Sequence, residues 1–296
     1  MRIKDILSST RPAISLEFFP PKTDLLRDEL LGAIDELLPL QPSYVSVTYG
    51  AGGSTQDRTF DLVLRVRERT GLPVISHLTC VGSGRDDIHD ILSRYRENGI
   101  HDILALRGDP PRDHAQPVAG YFPQAADLVA FIKKEFPTMD VGVAGFPEGH
   151  HETPNRLREM DFLKAKVDAG ADYIITQLFF DNRDFHDFCH RCKLAGIKVP
   201  IIAGILPITN KAGMIRMADL AAGARIPAPL LQEIQNCSND QEVEKAGVRW
   251  AATQVRDLVD HGVDGIHLYT LNSAAAIRQI FNTLGMKDSE ELRNKK

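Results

Sequence analysis

The chain has 296 residues, 43% hydrophobic and 25% charged, with a formal net charge of −5. This is the balance of a globular protein with a large core, and it lacks the basic footprint of a nucleic-acid binder. No apolar run approaches the roughly 18 residues of a membrane span, and the opening "MRIKDILSST" lacks the apolar stretch of a signal peptide, so a cytoplasmic protein with four reduced cysteines is expected.

The first strand is expected at 14–18. There Ser15 and Glu17 share one face, while Ile14, Leu16 and Phe18 share the other. "TDLLRDELLGAIDELL" follows as a capped amphipathic helix, and a second strand at 44–48 sets Ser46 and Thr48 against Val45 and Val47. From there one pattern recurs: a helix ends at glycine, a few residues follow, and a short Ile/Val-rich run begins. It is seen in "RERTG-LP-VISHL", "YRENG-IHD-ILAL", "KVDAG-AD-YIITQ", "KLAG-IKVP-IIAG" and "LVDHG-VD-GIHLY". Glycine after the last helical turn is the left-handed cap, and an apolar run too short for a helix is a strand.

Strands are thus expected at 74–78, 103–106, 141–144, 173–177, 201–204 and 265–269, with room for two or three helices between 208 and 262. Eight such βα units predict an α/β protein, a (β/α)8 TIM barrel forming a single domain over 1–286, with a charged tail at 287–296. The alternative is an open doubly wound sheet, which calls for a glycine fingerprint after its first strand. "EFFPPKT" is not one.

Barrel active sites sit at the C-terminal strand ends. Those ends offer Glu17, Thr48, His77, Arg107 with Asp109, Phe146 with Glu148, Gln177 and Tyr269. A lone polar strand end is commonly just solvated. Seven polar or aromatic ends converging on one mouth favour an enzyme, without naming its chemistry.

The stretches "ISLEFFPPKT", "VSVTYGAGGS", "SHLTCVG", "ILALRGDPP", "FPEGHHE", "LKAKVDAGADYIITQLFFD", "GILPITN" and "LYTLN" together resemble the methylenetetrahydrofolate reductase family, in family order, from about residue 14 to 284. The resemblance implies a barrel that holds FAD and takes hydride from NADH or NADPH. It reduces 5,10-methylenetetrahydrofolate to 5-methyltetrahydrofolate, in one-carbon metabolism that feeds methionine synthesis. It further implies the short bacterial form, assembled as a homo-oligomer.

By the same resemblance Glu17 matches the family's general acid, and burial beside Phe18 and Phe19 is expected to raise its pKa. Asp109 matches the second catalytic carboxylate, lying between flavin and folate. Thr48, Tyr49, Ala51, His77, Leu106, Arg107, Gly108, Asp109, Ala125, Phe146, His150, Glu159 and Lys166 match cofactor-binding positions. Gln177 and Tyr269, with Glu17 and Asp109, match the substrate side. Several positions depart from the family pattern: Phe146, Gln124, Glu159, Phe162, Ala165, Met217 and Ser273. They bear on the dinucleotide end of FAD and on the folate tail.

Three local motifs have other readings. In "FHDFCHRC" the residues His186, Cys189, His190 and Cys192 suggest zinc, but Phe185, Phe188, Cys189 and Cys192 follow the spacing of a buried helix face, which is favoured. "GHHE" suggests a metal but lacks a second ligand pair, so no metal is expected. "VGSGRDD" serves equally as a phosphate cradle or as a turn into a helix capped at Asp86. Two other functions remain open: a flavin-free, pterin-binding methyl-transfer barrel, and a non-enzymatic folate-binding subunit.

Overall fold

Five of the helix-ending glycines, Gly71, Gly99, Gly170, Gly196 and Gly262, have φ between 67° and 112°, and each hands the chain to a parallel strand. Only glycine adopts this left-handed backbone without a Cβ penalty. The computed structural model describes residues 1–49, 53–108, 122–221 and 224–294. Its strands are β1 (Ala13–Phe18), β2 (Tyr44–Val47), β3 (Val74–Thr79), β4 (Asp102–Leu106), β5 (Asp140–Gly145), β6 (Tyr173–Thr176), β7 (Ile201–Ile205) and β8 (Gly265–Tyr269). Each pairs in parallel with the next, and β8 closes on β1 in a barrel. Every strand end falls within one residue of the sequence expectation.

The outer layer consists of α2 (Asp24–Leu37), α3 (Gly53–Thr70), α4 (Arg85–Glu97), α5 (Ala125–Glu135), α6 (Arg156–Asp168) and α7 (Asn182–Leu194), then α8 (Lys211–Leu220), α9 (Ala228–Gln235), α10 (Asp240–Asp260) and α11 (Ala275–Leu284). The long stretch between β7 and β8 thus holds three helices. Ile14, Leu16, Phe18, Val45 and Val47 lie in the core between strands and helices, while Ser15 and Ser46 are buried on the opposite parity, inside the barrel. Inward glycines make room for large rings. A Cβ on Gly142 would stand 2.2 Å from the Tyr173 ring, and one on Gly204 would stand 3.0 Å from the Tyr269 ring.

Two terminal elements were not expected. Helix α1 (Ile3–Ser9) plugs the bottom of the barrel, with Ile3, Ile6 and Leu7 packed on Ala13, Tyr44, Ile75 and Tyr173. Its first amides are anchored from within the barrel: Ile3 N–H donates to Asp102 at 3.0 Å and Lys4 N–H to Asp140 at 3.2 Å. The segment expected as a charged tail carries α12 (Ser289–Asn294) and is packed. Leu292 is buried, and the Ser289 hydroxyl donates to the Leu40 carbonyl at 2.7 Å. A single apolar anchor in a charged stretch is enough to fix it. Among the described residues no helix is long and apolar enough to cross a membrane.

Candidate active site

Strand pairing sets Ser15 beside His267 and Glu17 beside Tyr269. All four face inward, so the C-terminal mouth of the barrel holds a polar stack. His267 Nε2 lies 2.9 Å from Glu17 Oε2, and its Nδ1 lies 2.8 Å from the Ser15 hydroxyl. On the other side His77 Nε2 is 3.5 Å from the same Glu17 oxygen and 2.7 Å from the Ser46 hydroxyl. Ser15, His267, Glu17, His77 and Ser46 therefore form one continuous chain of polar contacts across β8, β1, β2 and β3. The end of β1 is clamped to the end of β8: Thr270 donates to the Glu17 carbonyl at 2.6 Å, and Asn272 exchanges two hydrogen bonds with the backbone of Phe19.

This environment corrects the expectation for the Glu17 acid. Burial pushes its pKa up, but the His267 hydrogen bond and the two imidazoles push harder the other way, and the net shift is downward. The aromatic cage is missing because strand parity forbids it. Phe18 faces the helices, and Phe19 is 42% exposed. Burial meanwhile lowers His77 to about 4, so this imidazole is neutral at pH 7.

Beside this stack lies a cleft of about 1800 Å³, lined mainly by the ends of β3 to β6 and their loops. Tyr49, Leu106, Arg107, Gly108, Ala125, Phe146, His150, Glu159, Lys166 and Gln177 all line it; Thr48, His77, Glu17 and Tyr269 do not. Ala51 and Asp109 lie outside the described residues. The stretch 81–83 also lines the cleft, while Gly84 N–H donates to Asp87 at 2.8 Å to start α4, so "VGSGRDD" serves cleft and helix together. The cap is at Gly84, two residues before the position expected.

Four of the cleft residues have an identifiable support. Gly108 has φ of 83°, and a Cβ there would stand 2.6 Å from Val81 Cγ1, so the loop after β4 requires glycine. Arg107 reaches Glu152 at 2.5 Å across the cleft. Glu159 accepts from the His150 backbone at 3.2 Å and pairs with Arg156 at 3.4 Å, which ties its carboxylate to the loop. Lys166 is held from α6 with its ammonium 2.6 Å from the Ala144 carbonyl, and burial lowers its pKa to about 8. It has no ion-pair partner among the described residues. A part-buried cation without an anion, facing a large cleft, is a ready partner for a phosphate or carboxylate.

His267, the closest partner of Glu17, is absent from the sequence reading. The signal was present: His267 stands two residues before Tyr269 and therefore on the same inward face. Tyr269 rests its ring edge on His267, centroids 5.1 Å apart, and donates to the Thr176 carbonyl at 3.1 Å. In α7, Phe185, Phe188 and Cys192 are buried and Cys189 packs on the same core, as the helical spacing predicts.

The comparisons with known proteins agree with this geometry. A Clostridium thermocellum protein described as binding two copies of 5-methyl-5,6,7,8-tetrahydrofolic acid has the same fold, with a TM-score of 0.71 over 96% of this chain and 98% of that one, at 16% identity. The 5,10-methylenetetrahydrofolate reductase of Salmonella typhimurium is 42% identical over 93% of this chain and 91% of that protein. The Arabidopsis thaliana methylenetetrahydrofolate reductase (NADH) 1 is 37% identical over 98% of this chain, which spans about half, 51%, of the plant protein. The pattern of the methylenetetrahydrofolate reductase family matches residues 2–285, nearly the whole barrel, and the chain belongs to that family.

Proposed function

We propose that this protein reduces 5,10-methylenetetrahydrofolate to 5-methyltetrahydrofolate, with FAD in the cleft and NADH or NADPH as the electron source. The observation that carries the reading is the Glu17 stack standing directly beside a cation-lined cleft. The cleft is larger than the roughly 300–1,000 Å³ of an ordinary ligand pocket. The unpaired Lys166, together with Arg107 and Arg158, fits a dinucleotide carrying phosphates. Bound FAD would supply the hydride that nicotinamide gives and folate receives.

The chain's own residues handle the proton. The substrate's methylene bridges two nitrogens, and opening that ring requires a proton at one of them. Glu17 is the donor. At rest it is a carboxylate accepting from His267 Nε2. A ligand that covers the mouth removes the last solvation of Glu17, and loss of solvation favours its protonated form. His267, fixed by the Ser15 hydroxyl below it, keeps the carboxyl aimed while its proton comes and goes. Asp109, next in sequence after Gly108, favours the cationic state of the opening ring. Gln177 and Tyr269 orient the pterin.

The test is anaerobic. The purified protein is reduced with NADH and with NADPH, then mixed with methylenetetrahydrofolate. Bleaching of a bound flavin by nicotinamide and its recovery on adding folate support the reading. A protein that binds folate but carries no flavin, and transfers a methyl group without one, overturns it.

A further inference from the structure

The outer helical layer carries a second cluster, where α7 meets α10. The His186 ring leaves α7 toward α10, away from Cys189 and Cys192, which pack into the core. It meets two side chains one turn apart at the end of α10: His186 Nε2 lies 2.9 Å from Asp257 Oδ2, and His261 Nδ1 lies 3.3 Å from Asp257 Oδ1. The two imidazole centroids are 4.6 Å apart. One ring nitrogen from each histidine and one carboxylate oxygen all lie within 4.8 Å of one another. None of the three lines the cleft.

We propose that His186, Asp257 and His261 form a binding site for a first-row divalent transition-metal ion, joining α7 to α10. Two imidazoles and one carboxylate are the donor set of a zinc-type ion, with a fourth position left for water. Ligand atoms around such an ion, at about 2.0–2.2 Å from it, stand roughly 3.3 Å apart. The Asp257–His261 distance of 3.3 Å already matches that spacing, and the His186–Asp257 distance of 2.9 Å needs to open only slightly. The i, i+4 placement of Asp257 and His261 puts both on one helix face.

Two independent features support a cation here. The site lies at the C-terminal end of the 21-residue helix α10, whose dipole favours positive charge. Asn182 donates to Asp257 Oδ2 at 2.7 Å, and Asn182 is itself held by Gln254, which accepts from it at 2.9 Å through its carbonyl and donates back at 3.1 Å. Such a partner fixes the orientation of a ligating carboxylate. The side chains of His186, Asp257 and His261 are 30%, 38% and 60% exposed, so an ion enters from solvent without unfolding.

The test uses the full chain and Zn2+ in competition with a chromophoric chelator. Wild type is expected to take one Zn2+ per chain, and Co2+ to give visible bands of four-coordinate type. His186→Gln and His261→Gln should each weaken binding at least ten-fold and the double variant should abolish it, while Mg2+ should not compete. Zn2+ should raise the thermal midpoint of the wild type only. His261 is largely exposed, so its variant keeps the fold. Zn2+ uptake that is absent from wild type, or that persists unchanged in the double variant, overturns the proposal and leaves the cluster a hydrogen-bonded brace between helices.

Discussion

His267 spans two layers of the barrel interior to reach Glu17. Its backbone is registered with Ser15, one inward layer below, yet its Nε2 meets the Glu17 carboxylate at 2.9 Å while Nδ1 stays with Ser15 at 2.8 Å. The imidazole thus fixes the carboxylate from beneath, and the mouth side of Glu17 is left for a ligand.

Glu17→Gln keeps the shape and removes the proton. Only the folate half-reaction needs a proton delivered to substrate. The variant should still be reduced by its nicotinamide donor but reoxidise with methylenetetrahydrofolate at least about a hundred-fold more slowly, the low end for a general acid. Rapid-mixing absorbance of each half-reaction separates the two. Equal slowing of both would assign Glu17 to positioning the flavin.

His267→Ala removes the hydrogen bond that holds the Glu17 pKa down, so that pKa should rise. A double-mutant cycle with Glu17→Gln should show a coupling of about 1–3 kcal/mol at pH 7 by urea unfolding. The folded pKa is depressed, so this stabilisation is present above the ordinary value of 4.5 and fades as pH falls through the folded value. A coupling that does not change with pH would show the pair to be neutral.

Asp102 titrates with the opposite sign. Burial pushes its pKa up to about 7, so the fold is most stable with the acid protonated and loses that stability as pH rises from about 4 through 7. Asp102→Asn keeps an acceptor for the Ile3 amide and cannot ionise. It should flatten the stability profile across that window and gain on the order of a few kcal/mol over wild type at pH 8. Thermal or urea unfolding at several pH values measures this, and a parallel profile would refute the buried acid.

Lys166→Met preserves length and removes a cleft cation that has no ion-pair partner among the described residues. FAD should bind about ten- to a hundred-fold more weakly, the scale of a charge-assisted hydrogen bond. Quenching of flavin fluorescence on adding apoprotein reads this directly. Undiminished binding would place the phosphates elsewhere in the cleft.

The barrel was legible because it repeats. Five glycine caps and eight Ile/Val runs carry the same local signal, and each strand needs only its neighbours to be recognised. The seven residues of α1 carry no such signal, since about two turns become a helix only against the barrel floor. Around Glu17 the sequence misleads for a geometric reason. Phe18 is its neighbour along the chain but lies on the other face, whereas His267 is its neighbour in space at a separation of 250 residues. The inward parity seen in β1 and β2, applied to β8, places His267 beside Tyr269. Chain order cannot pair either with Glu17 until the barrel closes. The Arg107–Glu152 contact joins two loops and the Glu159–His150 contact ties α6 to the loop before it, and both are equally invisible in the sequence.

The division between the stack and the cleft has an evolutionary reading. The side chains of the polar stack come from β8, β1, β2 and β3, while the cleft is lined chiefly from β3 to β6. On the proposed function, substitutions in the cleft, such as at Glu159, Phe162 or Ala165, should leave the hydrogen-bonded stack undisturbed. Only β3 belongs to both, with His77 in the stack and Thr79, two residues on, at the cleft wall. It is the strand on which changes in cofactor preference and in acid chemistry are bound to be inherited together.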